Sequence, residues 1–192
     1  MKKTVWTFGL ISGAILSAMM LLTMPFQLRI GPERGMIVGY TTMVLAFMLV
    51  YFGVRSYRDN VARGEIGFGR AMAVGALIVL VASVCYVATW ELMYYQLAPE
   101  YAAQMQAHMI ERAQAGGGTP QEVAERVAEI QRFAEMYRNP AFNAAITFLE
   151  PLPVGLVFAL VSAGILSRRG RRRDGAGAVM AGAAVTTGQL IR

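Results

Sequence analysis

The sequence predicts an all-α integral membrane protein with four transmembrane helices and an extracytoplasmic helical hairpin between helices three and four. Hydrophobic residues make up 56% of the 192 residues and charged residues 16%, whereas soluble domains contain about 25% charged residues. The charges are nearly absent from four long apolar runs and are concentrated between them. An apolar run of about 20 residues is the length that a helix needs to cross the hydrocarbon core of a bilayer.

The first predicted span covers residues 5–24 and follows two lysines, Lys2 and Lys3. Basic residues before an apolar run also describe a cleaved signal peptide, which would leave three spans and a mature N-terminus outside. The run is longer than a typical signal-peptide core, and no convincing small-x-small cleavage site precedes Gln27. We therefore predict an uncleaved helix that ends at Pro25.

The second and third predicted spans are residues 36–54 and 71–95. The second contains no charged residue, and the third stays apolar as far as Trp90 before it reaches Glu91. Between them, residues 55–70 are basic and contain several glycines, so we predict a loop there.

Residues 99–139 are polar, charged and periodic, unlike the spans on either side. Three consecutive glycines, residues 116–118, divide this region into two segments with apolar residues at helical spacing. The second segment begins with Thr119, Pro120 and, at the third helical position, Glu122. This order is typical of a capped helix start. The pattern predicts an amphipathic helical hairpin outside the bilayer, packed on the end of the bundle.

The fourth predicted span, residues 142–166, is interrupted only by Glu150, Pro151 and Pro153. Prolines inside a helix remove backbone hydrogen bonds, so we predict a bend at this point. Five arginines follow the span, and the membrane domain therefore comprises residues 1–169. Residues 170–192 are rich in glycine and alanine and have little to bury, which predicts a disordered tail.

An even number of spans places both chain ends on the same side of the membrane. Twelve Lys and Arg residues would lie on that side and six on the other. Loops rich in Lys and Arg usually remain in the cytoplasm. Both termini and the tail are therefore predicted to be cytoplasmic, with the hairpin on the outer side.

The candidate polar membrane site consists of Glu91, Glu150, Pro151 and Trp90. Counted from the inner ends of their helices, the two carboxylates lie about 31 and 27 Å along the axis, near the outer edge of the hydrocarbon. Ionisable residues in spans usually face the bundle or a polar cavity. The pair could therefore bind a cation, carry a proton or coordinate a metal. The simpler interpretation is two interfacial acids that cap helices or pair with arginines, and the shallow depth favours it.

Other residue types indicate no further chemistry. Cys85 is the single cysteine and His108 the single histidine, so an intramolecular disulfide and a typical zinc site are excluded. Neither serine nor cysteine stands in a recognisable nucleophile motif. The net charge is +6, but the basic residues flank apolar runs, which indicates membrane orientation and not nucleic-acid binding. We predict no catalytic residue, metal or cofactor.

Five segments of the chain resemble a small bacterial membrane family catalogued as domain of unknown function 4199. They are GYTTMVLAF (39–47), FGVRSYRDN (52–60), FGRA (68–71), CYVATWE (85–91) and FLEPLPVG (148–155). The resemblance extends over about residues 2–169. It implies a multi-span protein of the bacterial inner membrane and carries no activity, cofactor or partner.

These observations together predict a structural or interaction protein of the cell envelope. Its partners would be the lipid bilayer and either an envelope protein or a second copy of the chain. The alternative is a small ion- or solute-handling membrane protein that uses Glu91 and Glu150. An enzyme is the least favoured class, because the residues offer no nucleophile, base or metal set.

Overall fold

The computed structural model describes residues 1–30, 32–98 and 100–167 of the chain. Within these ranges the chain forms helices joined by turns and contains no strand. The helices are α1 (Lys2–Ile30), α2 (Pro32–Asn60), α3 (Phe68–Leu92), α4 (Tyr101–Ala115), α5 (Pro120–Tyr137), α6 (Pro140–Leu149) and α7 (151–167). A short π-helical segment, Met93–Leu97, continues α3.

Four helical stretches are long and apolar enough to cross a membrane. They are Lys2–Met24, Arg34–Asn60, Phe68–Leu97 and Pro140–Ser167, the last of which includes both α6 and α7. The predicted all-helical class with four candidate spans is therefore confirmed for the described residues. The predicted tail, residues 170–192, lies outside them.

Two predicted helix ends are wrong. Helix α1 does not end at Pro25 but continues to Ile30, because a proline removes one backbone hydrogen bond without forcing the chain out of the helical conformation. Helix α2 continues to Asn60, so the connection to α3 is shorter than the predicted loop at residues 55–70. Ion pairing at helical spacing supports this extension, since Arg55 Nε lies 3.6 Å from Asp59 Oδ2, four residues later.

Helix α3 is the centre of the bundle and contacts α1, α2 and α6. Glycines allow the close approach of α1. A Cβ atom added at Gly13 would lie only 2.6 Å from the Cys85 Cβ. One turn further along α1, the Ser17 hydroxyl accepts a hydrogen bond of 2.8 Å from Thr89. Small residues on α1 therefore serve packing within the chain.

On the other side of α3, the approach of α7 also depends on small side chains. A Cβ at Gly75 would lie 2.9 Å from the Ala159 Cβ. Gly39 on α2 has no atom within 4 Å of an added Cβ. That part of α2 therefore makes no close helix contact in the described structure.

Helices α4 and α5 form the hairpin, as the periodic pattern predicts. The capping box at the start of α5 is confirmed, because the Thr119 side chain accepts from the Glu122 amide and the Glu122 carboxylate accepts from the Thr119 amide. The apolar positions of α5 are only half-buried, and no residue of this helix is fully buried. The hairpin therefore contacts the bundle along one edge instead of being embedded in it.

The fourth stretch is interrupted at Glu150, where the prolines predict a break. Helix α6 ends at Leu149, and α7 begins at Pro151. Proline has no backbone N–H, so Pro151 and Pro153 cannot donate to the carbonyls of Thr147 and Leu149. The first part of this stretch, α6, follows directly on the hairpin.

Candidate functional site

A cavity of about 760 Å³ lies between the hairpin and the bundle. We call it the hairpin cavity. Its walls come from α1, α3, α4, α5 and α6, so it exists only because the hairpin folds over the end of the bundle. Six aromatic side chains line it: Tyr86, Trp90, Tyr94, Tyr101, Phe133 and Tyr137.

The floor of the hairpin cavity carries a carboxylate. The Tyr86 hydroxyl on α3 donates a hydrogen bond of 3.0 Å to Glu150 Oε2, at the break between α6 and α7. Tyr86, Trp90 and Tyr94 are spaced by four residues, which places them on one face of α3. This face therefore supplies the tyrosine that positions Glu150 and two of the aromatic rings above it.

A buried hydrogen-bond chain fixes one wall of the cavity. Asn143 on α6 is fully buried, and its Oδ1 accepts from Trp90 Nε1 at 2.9 Å and from the Thr147 hydroxyl at 3.2 Å. The Tyr137 hydroxyl lies 3.2 Å from that of Thr147. Helices α3, α5 and α6 are thus connected through hydrogen bonds between buried and partly buried side chains.

The roof of the cavity is made of aromatic rings from the hairpin. The Tyr137 ring lies 5.6 Å from that of Tyr94 and 5.5 Å from that of Phe133, and the Tyr101 ring lies 6.2 Å from Trp90. Such centroid distances are typical of stabilising aromatic pairs. Burial raises the pKa of Tyr101 to about 12 and also raises that of Tyr137. Both phenols therefore stay neutral at physiological pH.

The structure brings Trp90 and Glu150 together in the hairpin cavity but leaves out the other two candidate residues. Glu91 follows Trp90 by one residue, which turns its side chain about 100° around α3, and it does not line the cavity. Its side chain is only partly exposed, and its Oε1 is buried without a hydrogen-bond partner among the described residues. Pro151 is fully buried at the start of α7. The structure therefore does not place the two carboxylates in one site.

Several residues of the cavity were not singled out from the sequence. Tyr86 could have been found from its four-residue spacing to Trp90 and Tyr94. Asn143 and Thr147 are polar residues inside a predicted span, which is a usable signal in a membrane protein. The described residues contain no group of three or more His, Cys, Asp or Glu side chains that could hold a metal ion.

Comparison with known proteins identifies the family but not an activity. No curated protein and no solved structure matches the chain. The model of a family described as "Protein of unknown function (DUF4199)" matches residues 7–168. This match includes all four candidate spans almost completely, together with the hairpin and Glu150. The chain therefore belongs to the DUF4199 family.

Proposed function

We propose that this chain is a multi-pass protein of the bacterial inner membrane that binds a small amphiphilic molecule between its outer hairpin and its bundle. The hairpin cavity is the observation that carries the proposal. Cavities of about 300–1,000 Å³ with aromatic walls and a few polar groups are typical of small-molecule sites. At about 760 Å³, the hairpin cavity falls within this range.

The exposure of the hairpin's apolar residues supports this function. A hairpin that only stabilised the bundle would bury its apolar stripe against it. Here Phe133 lines the cavity yet is 45% exposed, and Met109 is 43% exposed. An apolar occupant would remove both side chains from water, so the site favours a ligand with an apolar body.

The distribution of charge supports an orientation with the hairpin outside and both termini in the cytoplasm. Arg55, Arg58 and the five arginines after α7 adjoin the ends of the spans that would face the cytoplasm. The hairpin balances its four arginines with six glutamates. An excess of basic residues on one side of the spans favours retention of that side in the cytoplasm.

Cysteine labelling tests the orientation. In a Cys85→Ala background, Gln121→Cys reports on the hairpin and Glu65→Cys on the α2–α3 connection, and both positions are exposed. A membrane-impermeant maleimide should label position 121 in intact spheroplasts and position 65 only after permeabilisation. The reverse pattern would overturn the proposed orientation.

The second candidate function is that of an interaction protein, which the exposed Met136 favours. Met136 is 50% exposed on α5 and does not line the hairpin cavity, whereas Phe133 is similarly exposed and does. A partner protein that docks on the outside of the hairpin would cover Met136. This pair of residues therefore distinguishes the two functions.

Photo-crosslinking in cells makes the comparison. A photoreactive amino acid at position 133 should yield an adduct with a mass below that of any protein, and the same group at position 136 should yield none. A protein-sized product at position 136 without an adduct at position 133 would favour the interaction protein. Absence of any adduct at position 133 would contradict ligand binding in the cavity.

A further inference from the structure

The charges around the hairpin cavity indicate which molecules it would accept. We infer that the cavity binds an amphiphilic organic cation, with the ammonium group against Glu150 and the apolar body among the aromatic rings. This inference rests on the ligand-binding function proposed above and adds the chemical class of the ligand. Its evidence is the surroundings of one carboxylate.

Glu150 has no cationic partner in the part of the chain that the structure describes. Its hydrogen bond comes from the neutral Tyr86 hydroxyl. The ion pairs among the described residues join Asp59 to Arg55 and Arg58, in the last turns of α2. Glu150 is exposed and lines the cavity, so its carboxylate is accessible to a ligand there. A cationic ligand would supply the missing charge.

Arg138 is the cation that lines the same cavity, but it lies at the outer rim. Its carbonyl accepts a hydrogen bond from the Tyr95 hydroxyl. Tyr95 is nine residues beyond Tyr86 on the same helical stretch, which corresponds to about 13 Å along the axis. Glu129 of α5 also lines the cavity, so the charged lining comprises two carboxylates and one guanidinium and favours a cationic ligand over an anionic one.

The aromatic lining suits the same ligand class. Tyr86 contacts Glu150, and Trp90 lies one turn further along the cavity face of α3. The faces of such rings attract cations through their quadrupole. An ammonium group at the floor would therefore contact both a carboxylate and electron-rich rings. A metal ion fits poorly, because the described residues place no cluster of three acidic, histidine or cysteine ligands in any one location.

The two glutamates provide a matched pair for the test. Glu91 and Glu150 lie at similar depth, but only Glu150 lines the cavity. The chain has two tryptophans, so Trp6→Phe leaves Trp90, in the cavity wall, as the single tryptophan. Binding can then be measured on the full chain in phosphatidylcholine nanodiscs, with decyltrimethylammonium, decanol and decyl phosphate as cationic, neutral and anionic probes.

Decyltrimethylammonium should change the Trp90 emission saturably in the Trp6→Phe protein. The additional change Glu150→Gln should weaken its binding about tenfold or more, which is the loss expected for one unpaired charge contact. Glu91→Gln should leave the affinity unchanged. Glu150→Asp keeps the charge and should retain most of the affinity. Retained binding in this variant would show that the loss in Glu150→Gln comes from the missing charge and not from misfolding. Decanol should bind equally well with or without the Glu150 charge.

The outcomes separate this inference from the function on which it rests. If none of the three probes binds saturably, the proposed binding function itself is wrong. If decanol or decyl phosphate binds as tightly as the cation, the cavity is a ligand site but the cationic assignment is wrong. Equal losses of affinity in Glu91→Gln and Glu150→Gln would likewise overturn the assignment, because the effect would then come from the membrane surface charge.

Discussion

The contact between α1 and α3 predicts that Gly13→Ala destabilises the bundle, whereas Gly39→Ala does not. A Cβ at Gly13 would lie 2.6 Å from the Cys85 Cβ, 3.0 Å from its Sγ and 3.4 Å from the Ala82 Cα. Carbon atoms in contact prefer separations of about 3.5–4.0 Å. The two helices must therefore move apart locally. An added Cβ at Gly39 meets no atom within 4 Å.

The difference between the two variants isolates the packing cost. Both substitutions replace glycine with alanine inside a helix, which favours folding by about 0.5–1 kcal/mol in each case. Forcing an extra methyl group into a packed contact costs about 1–3 kcal/mol. Gly39→Ala should thus be slightly more stable than the unmodified protein, and Gly13→Ala should be about 1–3 kcal/mol less stable than Gly39→Ala.

Unfolding of the purified protein in mixed micelles of increasing dodecyl sulfate content, followed by tryptophan fluorescence, measures this difference. A Gly13→Ala protein as stable as Gly39→Ala would refute the packing argument. Sedimentation in detergent is the second readout, and the oligomeric state should be the same in both variants. A change of oligomeric state in Gly13→Ala alone would show that this face of α1 contacts a second chain.

Three further predictions concern the cavity wall and the hairpin. Asn143→Ala should lower the free energy of unfolding by about 1–3 kcal/mol, because it leaves the Trp90 indole and the Thr147 hydroxyl without their buried acceptor. Amide hydrogen exchange in α5 should become faster. Unchanged exchange in α5 would contradict the coupling between these helices. Thr119→Ala should fray the first turn of α5 and lower its stability by about 1 kcal/mol. Amide hydrogen exchange in that turn should become faster. Equal protection from exchange in both proteins would show that the cap is unimportant. The Thr119 amide holds the pKa of Glu122 below its ordinary value of 4.5, so the cap stabilises α5 fully above that pH and is lost as the pH falls through the lower folded pKa. The amide resonance of Thr119 should report this titration, and the same titration persisting in Glu122→Gln would refute it.

The elements that the sequence predicts well are those determined by local chemistry or by the thickness of the bilayer. The four apolar stretches can be predicted because a span must contain enough consecutive apolar residues to cross the hydrocarbon. The start of α5 can be predicted because Thr119 and Glu122 cap it within one turn. The ends at Pro25 and near residue 55 were predicted wrongly, since helix ends depend on tertiary and polar pairing as well as on hydropathy.

The hairpin cavity could not be predicted in the same way, because it depends on how separate helices face one another. Counting residues places Glu91 and Glu150 at matching depth, but depth says nothing about rotation around the helix axis. The face that α3 presents to α6 is set by the contacts of Tyr86 and Trp90. Glu91 lies outside that face, one residue after Trp90, and this separates it from Glu150.

The break between α6 and α7 has a consequence for the selectivity of the cavity floor. Because Pro151 and Pro153 have no N–H, the carbonyls of Thr147 and Leu149 lack the donor that a regular helix would provide. These two acceptors flank the helical turn that carries Glu150. A primary ammonium has three N–H donors with which to satisfy them, whereas a quaternary ammonium has none. Among alkylammonium ions of equal chain length, the proline break should therefore make the floor discriminate by the number of protons on nitrogen. A long-chain primary amine should bind more tightly than its trimethylated analogue.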